Sequence, residues 1–124
     1  MPADVLDRDA LLAPYDVVTG HVDEPELQSV AELATHLCAA PWAGVNLISE
    51  HFQHQVAAVG ITPSVCARED AMCAVTIAEP GPVEVPDARE DPRFAANPFV
   101  TGRLARIRFY AASQLRAPSG AVLG

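Results

Sequence analysis

The sequence predicts an α+β domain in which helices pack against a central antiparallel β-sheet. Three observations lead to this fold class. The chain has 124 residues, enough for one hydrophobic core with little room for a second. Apolar residues recur at helical spacing from Leu27 to Cys38, whereas side chains alternate between two faces in 42–50 and in 107–115. A helix followed by alternating segments and short turns is typical of helices placed on an antiparallel sheet.

The chain divides into an acidic lead-in, residues 1–23, and a domain that spans residues 24–124. Residues 1–26 carry seven acids against one arginine, Arg8. The lead-in has a weak amphipathic pattern that is broken by Pro14 and Gly20, and its apolar members are Leu6, Leu11, Leu12, Tyr15 and Val18. We expect a short helix there, followed by an extended segment.

The sequence of the first half of the domain predicts a helix followed by a β-hairpin. Pro25 suits a first helical turn and Pro41 ends the helix. The segment WAGVNLISE, residues 42–50, then predicts a strand buried on at least one face. A polar turn leads into a second strand at 55–59, which ends at Gly60, so the two strands form an antiparallel hairpin.

The second half alternates loops with shorter elements. Pro63 forces a loop, and acids at 69–70 suit the start of a helix that runs to Ile77. A short strand at 83–85 precedes a long connection, residues 86–102, which we interpret as a ligand-covering segment or a mobile loop. A strand at 107–115 and a turn at 118–120 lead into a last strand that begins at Ala121.

Net charge and the lengths of apolar stretches argue against some classes of function. The formal net charge of −8 argues against nucleic acid as the main partner, because phosphate binding draws its affinity from clustered cations. No apolar stretch is long enough to span a membrane and no export signal precedes the domain, so we expect a cytoplasmic protein. Three cysteines, Cys38, Cys66 and Cys73, are then expected to be reduced thiols.

Four segments, in this order, resemble the GAF domain, in particular the bacterial type found beside histidine kinases, diguanylate cyclases and phosphatases. They are AGVNLISE, MCAVTI, VEVPDAREDPRFAANPFVTG and IRFYAASQLRAPSGAVLG. The resemblance covers the chain from about Leu27 to Gly124. It implies helices on one face of the sheet and, on the other, a pocket capped by a helix and the long loop. The rest of the last strand and the C-terminal helix that are usual in the family are missing, which implies either a truncated domain or a sheet edge that a partner chain completes.

The resemblance implies a non-enzymatic regulatory module of bacterial signal transduction that senses a small ligand, dimerises, or does both. The pocket candidates are Cys73, Thr76, Phe94, Arg108 and Tyr110. If the 107–115 strand lines the pocket, Arg108 and Tyr110 supply a cation and a phenol. Otherwise these side chains face solvent or pair with loop acids such as Asp87. The expected partners are a small ligand, a second copy of the chain and an effector domain or partner protein.

Two other functions stay open. Cys66 and Cys73 form a candidate redox pair, as in relatives that reduce free methionine sulfoxide, with Arg68 favouring a thiolate and the neighbouring acids opposing it. The other alternative is a module that only mediates association. His51 and His54 lack a third metal ligand at close spacing, and Asp87 and Asp91 are expected to cap turns. The sequence therefore assigns no catalytic residue, no metal and no cofactor.

Overall fold

The computed structural model describes residues 8–13 and 25–124. Its helices are α1 (Arg8–Leu12), α2 (Pro25–Cys38), α3 (Met72–Thr76) and α4 (Pro98–Thr101), with short 3-10 turns at Arg68–Asp70 and Ala88–Glu90. Its strands are β1 (Ala43–Ile48), β2 (Phe52–Val59), β3 (Val65–Ala67), β4 (Val83–Val85) and β5 (Tyr110–Ala112). The predicted α+β class with antiparallel strands is confirmed. The prediction of an extended lead-in at Tyr15 and Val18 lies outside the described residues.

The predicted hairpin is present and is extended by a third strand. β1 and β2 pair antiparallel from Ala43 opposite Val59 to Ile48 opposite Gln53, with a register shift after Val45. β3 then pairs antiparallel with the first three residues of β2. The sequence did not predict β3, because three residues that follow the Pro63 loop carry too short a pattern to identify a strand.

Helix α2 packs on β1 and β2, and it covers part of β2 that β3 does not pair with. The Gln28 carboxamide donates to the Ala58 carbonyl at 2.8 Å and accepts from the Ala58 backbone N–H at 3.3 Å. These bonds satisfy backbone groups that an edge strand would otherwise expose. The opposite side of the helix carries an apolar stripe, Val30, Leu33 and Leu37, whose side chains are exposed.

β4 and β5 form a second, two-stranded sheet, so the described strands make two hydrogen-bonded sheets where one central sheet was expected. β4 is flanked by Pro82 and Pro86, which have no backbone N–H to donate to a ladder. The partner strand can therefore pair over only three residues. This limit explains why the strand expected at 107–115 is reduced to Tyr110–Ala112.

The long connection from 86 to 102 is built into the core. It contributes the buried side chains of Ala88, Phe94 and Val100 to one hydrophobic cluster with Met72, Val83 and Val85. A second cluster, Leu12, Leu47 and Leu123, lies on the far side of β1. Successive residues of a strand point to opposite faces, so Leu47 turns toward α1 while Asn46 turns toward α3.

The last residues run beside β1 without forming the expected strand. Leu123 accepts a backbone bond from Ile48 at 3.0 Å, and a single bridge joins Arg116 to Val122. The buried Arg8 side chain donates to the Ile48 carbonyl at 2.7 Å and to the Val122 carbonyl at 2.8 Å. Helix α1 is thereby attached to both segments. Within the described residues, no helix combines the length and the apolar character needed to cross a membrane.

Candidate functional site

A group of buried and half-buried polar side chains lies between β1, α3 and β5, and we call Asn46, Cys73, Thr76 and Tyr110 the polar cluster. The Tyr110 hydroxyl lies 3.0 Å from Thr76 Oγ1 and 3.4 Å from Cys73 Sγ. Asn46 Nδ2 donates to the same sulfur at 3.4 Å. Four polar groups from three elements therefore meet at one place.

The local structure explains why these residues meet. Cys73 and Thr76 are three residues apart in α3, a spacing that places both side chains on one face of a helix. Asn46 occupies a position of β1 whose side chain points away from the Leu12 cluster. Tyr110 begins β5, next to the point where β5 pairs with Val85. Helix spacing and strand alternation thus aim the four side chains at one another.

Phe94 packs against the Tyr110 ring of the polar cluster. Its side chain is fully buried, and its ring centroid lies 5.2 Å from that of Tyr110 at an interplanar angle of 54°. Tilted aromatic pairs at such distances are favourable beyond their buried area. Because the phenol ring is packed in this way, its hydroxyl is held toward Cys73 and Thr76.

Two buried acceptors, one in the polar cluster on β1 and one on β2, have no hydrogen-bond partner in the described part of the chain. They are Asn46 Oδ1 and Gln53 Oε1. The amide nitrogen of Gln53 donates weakly to Cys66 Sγ at 3.6 Å, and Cys66 lies opposite Gln53 across the β2–β3 ladder. A buried acceptor without a donor costs about 1–3 kcal/mol.

Two groups at or near the cluster, the Tyr110 phenol and the Cys66 thiol, are uncharged at neutral pH. Burial raises the pKa of the Tyr110 phenol far above its usual value, and the neighbouring Cys73 adds to that effect. Burial likewise raises the pKa of the Cys66 thiol, with further contributions from Asp70 and Cys73. Both groups therefore stay protonated, and the site suits a neutral polar ligand better than an anion.

The structure brings together four of the five sequence-predicted pocket residues: Cys73, Thr76, Phe94 and Tyr110. Arg108 lies elsewhere. Its Nη1 donates to the backbone carbonyls of Val100 at 3.0 Å and Ile107 at 3.1 Å, which ties the end of α4 to the chain before β5. Arg108 lies before the first residue of β5. The alternation of side chains along a strand therefore does not place Arg108 on the same face as Tyr110.

Three amide residues of the site were not predicted from the sequence. Asn46 and Gln53 carry the unpaired acceptors, while Gln114 donates to the carbonyls of Thr76, Glu79 and Gly81 and closes the end of α3. For Asn46, the sequence gives one indication of a buried polar side chain, because this residue lies within the apolar run AGVNLI. The glutamines lie in segments rich in polar residues, where nothing distinguishes a buried amide from a solvated one.

The remaining candidates have structural roles. Asp87 accepts from the Arg89 backbone N–H at 3.0 Å and Asp91 from that of Arg93 at 2.8 Å, as expected for turn caps. His54 Nε2 lies 3.1 Å from Ser49 Oγ, and burial lowers the pKa of His54. Across residues 8–13 and 25–124, no three His, Cys, Asp or Glu side chains are grouped as metal ligands.

Comparison with models of known protein families found no match to this chain. A search of curated proteins found a relative in Pseudomonas aeruginosa that is 33% identical over 123 residues. The relative is named as a cyclic di-GMP phosphodiesterase. The match covers 99% of this chain but only 21% of the relative.

This match supports a role in bacterial signal transduction and corrects one expectation. The sequence led us to expect a non-enzymatic module. That expectation is wrong, because the relative that matches nearly the whole chain is named for an enzymatic activity.

Proposed function

We propose that this chain is a GAF-like regulatory part of a cyclic di-GMP phosphodiesterase and that a small neutral ligand bound at the polar cluster controls its activity. The likeness to the Pseudomonas aeruginosa relative over 99% of the chain supports the cyclic di-GMP part of the proposal. The observation that carries the ligand part is the pair of buried acceptors, Asn46 Oδ1 and Gln53 Oε1.

The chemistry of the site defines the ligand class. Two amide oxygens accept hydrogen bonds, and the protonated Tyr110 hydroxyl can donate or accept. A ligand with several N–H groups and no net charge would satisfy the acceptors without burying a charge. Such a ligand would contact both α3 and β5. Its binding would therefore favour one position of α3 relative to β5 over another.

The proposal is tested by measuring the cyclic di-GMP content of cells that carry variants of this protein. The source bacterium would carry Asn46→Leu or Tyr110→Phe in the chromosomal gene, and Cys38→Ala as the matched control, since Cys38 is an exposed cysteine outside the cluster. Both cluster variants are expected to change the cyclic di-GMP content, whereas the control leaves it unchanged. Immunoblots establish equal protein abundance. Equal cyclic di-GMP content in all four strains at equal abundance would overturn the proposal.

The structure disfavours the thiol-reductase alternative. A nucleophilic cysteine needs a lowered pKa, whereas burial, Asp70 and Cys73 all raise the pKa of Cys66. The Arg68 guanidinium donates to the Glu50 carbonyl at 3.4 Å. Arg68 is not among the groups that shift the pKa of Cys66.

A further inference from the structure

A concave site lies on the other side of α3 from the polar cluster. This cleft of about 450 Å³ lies between the 3-10 turn at Arg68–Asp70, helix α3 and the chain around α4. Its apolar lining consists of Ala71, Ala74, Val75, Ala96 and Pro98. Binding sites for small molecules commonly have volumes of roughly 300–1,000 Å³, so the cleft has room for one such molecule.

The cleft and the polar cluster are separate sites. Ala74 and Val75 line the cleft, whereas Cys73 and Thr76 contact Tyr110. Successive residues of a helix are about 100° apart, so these two pairs occupy opposite sides of α3. A molecule in the cleft therefore does not touch the cluster.

Three arginines, Arg68, Arg93 and Arg103, line the cleft. Arg93 is held in a fixed position: its guanidinium forms two bonds with Asp91, at 3.0 and 2.8 Å, and one with Glu79 at 3.1 Å. Arg103 Nη2 lies 3.5 Å from Asp70 Oδ2, and its side chain is 67% exposed. Arg68 and Arg103 thus retain donors for an added ligand, whereas Arg93 donates to Asp91 and Glu79 and lies over the Phe94 ring.

Two acids, Glu69 and Asp70, oppose an anion in the cleft. The contact between Asp70 and Arg103 is long and partly exposed, and such pairs contribute little to stability. A phosphate can therefore compete for Arg103 at small cost. Asn97 fixes the backbone of this turn, because its Nδ2 donates to the Asp70 carbonyl at 3.0 Å.

We propose that the cleft binds a nucleoside monophosphate, with its phosphate at Arg68 and Arg103 and its base against the small apolar side chains. Guanidinium groups match phosphate oxygens with paired hydrogen bonds and also stack on planar rings. The small side chains of Ala74 and Ala96 do not protrude into the cleft, which leaves a surface that suits the flat face of a base. This inference does not depend on ligand binding at the polar cluster.

Isothermal titration calorimetry at low ionic strength tests the proposal, with AMP and GMP as probes. We expect either or both nucleotides to bind, with weaker binding of ribose 5-phosphate and of the uncharged nucleosides. Arg68→Gln and Arg103→Gln should each weaken binding by about tenfold or more, since each removes a charge-assisted contact. Arg116→Gln, which changes an exposed arginine outside the cleft, should have no effect.

Glu69→Gln separates binding from folding, because this variant should tighten nucleotide binding by removing a like charge from the lining. Tyr110→Phe should leave the affinity unchanged, because the cluster lies on the other side of α3. Absence of binding by AMP and GMP, or equal binding of inorganic phosphate, would overturn the proposal. So would an affinity that Arg68→Gln and Arg103→Gln do not alter.

Discussion

Replacing Tyr110 by Phe removes one hydroxyl from the polar cluster and keeps the ring. The lost contacts are a 3.0 Å hydrogen bond to Thr76 Oγ1 and a weaker 3.4 Å contact to Cys73 Sγ. The packing on Phe94, with centroids 5.2 Å apart, is retained. A hydrogen bond between neutral groups contributes about 0.5–1.5 kcal/mol net, so Tyr110→Phe should lower the free energy of unfolding by about 1–2 kcal/mol.

A double-mutant cycle isolates the contact between the two hydroxyls. Thr76→Val removes the partner oxygen, which also donates to the Met72 carbonyl at 3.4 Å. Replacing both partners by apolar groups leaves no orphaned donor or acceptor between them. The double variant should therefore be less destabilised than the sum of the single variants, with a coupling energy of about 1 kcal/mol.

Urea denaturation followed by far-UV circular dichroism measures these differences. The midpoint should fall while the slope with denaturant stays constant, because the exposed surface on unfolding does not change. Phe109→Leu, at a position that is 50% exposed, is the control and should shift the midpoint little. Additive losses in the cycle, or a Tyr110→Phe variant as stable as the parent, would refute the described hydrogen bond.

Four further predictions follow from the structure. Gly60 has φ +85°, and a Cβ there would collide with the turn before β1, so Gly60→Ala should cost about 2 kcal/mol or more in urea denaturation; an unchanged midpoint would contradict this turn geometry. Burial raises the pKa of Tyr110 in the folded chain, so the unfolded chain ionises first: stability should fall as pH rises above about 10, and less steeply in Tyr110→Phe. Iodoacetamide should modify the exposed Cys38 well before Cys66, whose pKa is raised, as measured by peptide mass spectrometry; faster reaction of Cys66 would reopen the reductase alternative. The sequence-based prediction of a homodimer remains, and the exposed stripe on α2 makes it testable: Leu33→Glu should convert a dimer to a monomer in light scattering, and a parent that is already monomeric would refute it.

The elements predicted from the sequence are those with long patterns. Helix α2 repeats its apolar spacing over 14 residues, and β1 and β2 alternate on both sides of one turn. β3 and β5 each have three residues, and their pairing partners fix them more than their own sequence does. The length of β5 depended on the two prolines around β4, a constraint that arises only when the two strands meet.

The residues of the candidate site were predicted only in part, because some of them are defined by contacts that form only in the folded chain. The sequence indicated Cys73, Thr76, Phe94 and Tyr110 as pocket candidates, and the structure brings these four together. Arg108 was included because strand alternation was extended back from Tyr110, and the chain leaves the strand before that position. The acceptors of Asn46 and Gln53 depend on which neighbours bury them, so they became visible only in the folded arrangement.

The most direct measurement of the central claim is cyclic di-GMP hydrolysis by the purified protein as it is made in its own cell. The account predicts that the parent protein hydrolyses cyclic di-GMP and that Asn46→Leu and Tyr110→Phe change the rate several-fold. Cys38→Ala, the exposed-cysteine control, should match the parent. Absence of hydrolysis in the parent protein, or equal rates in all four folded proteins, would contradict the proposal that the polar cluster controls cyclic di-GMP hydrolysis.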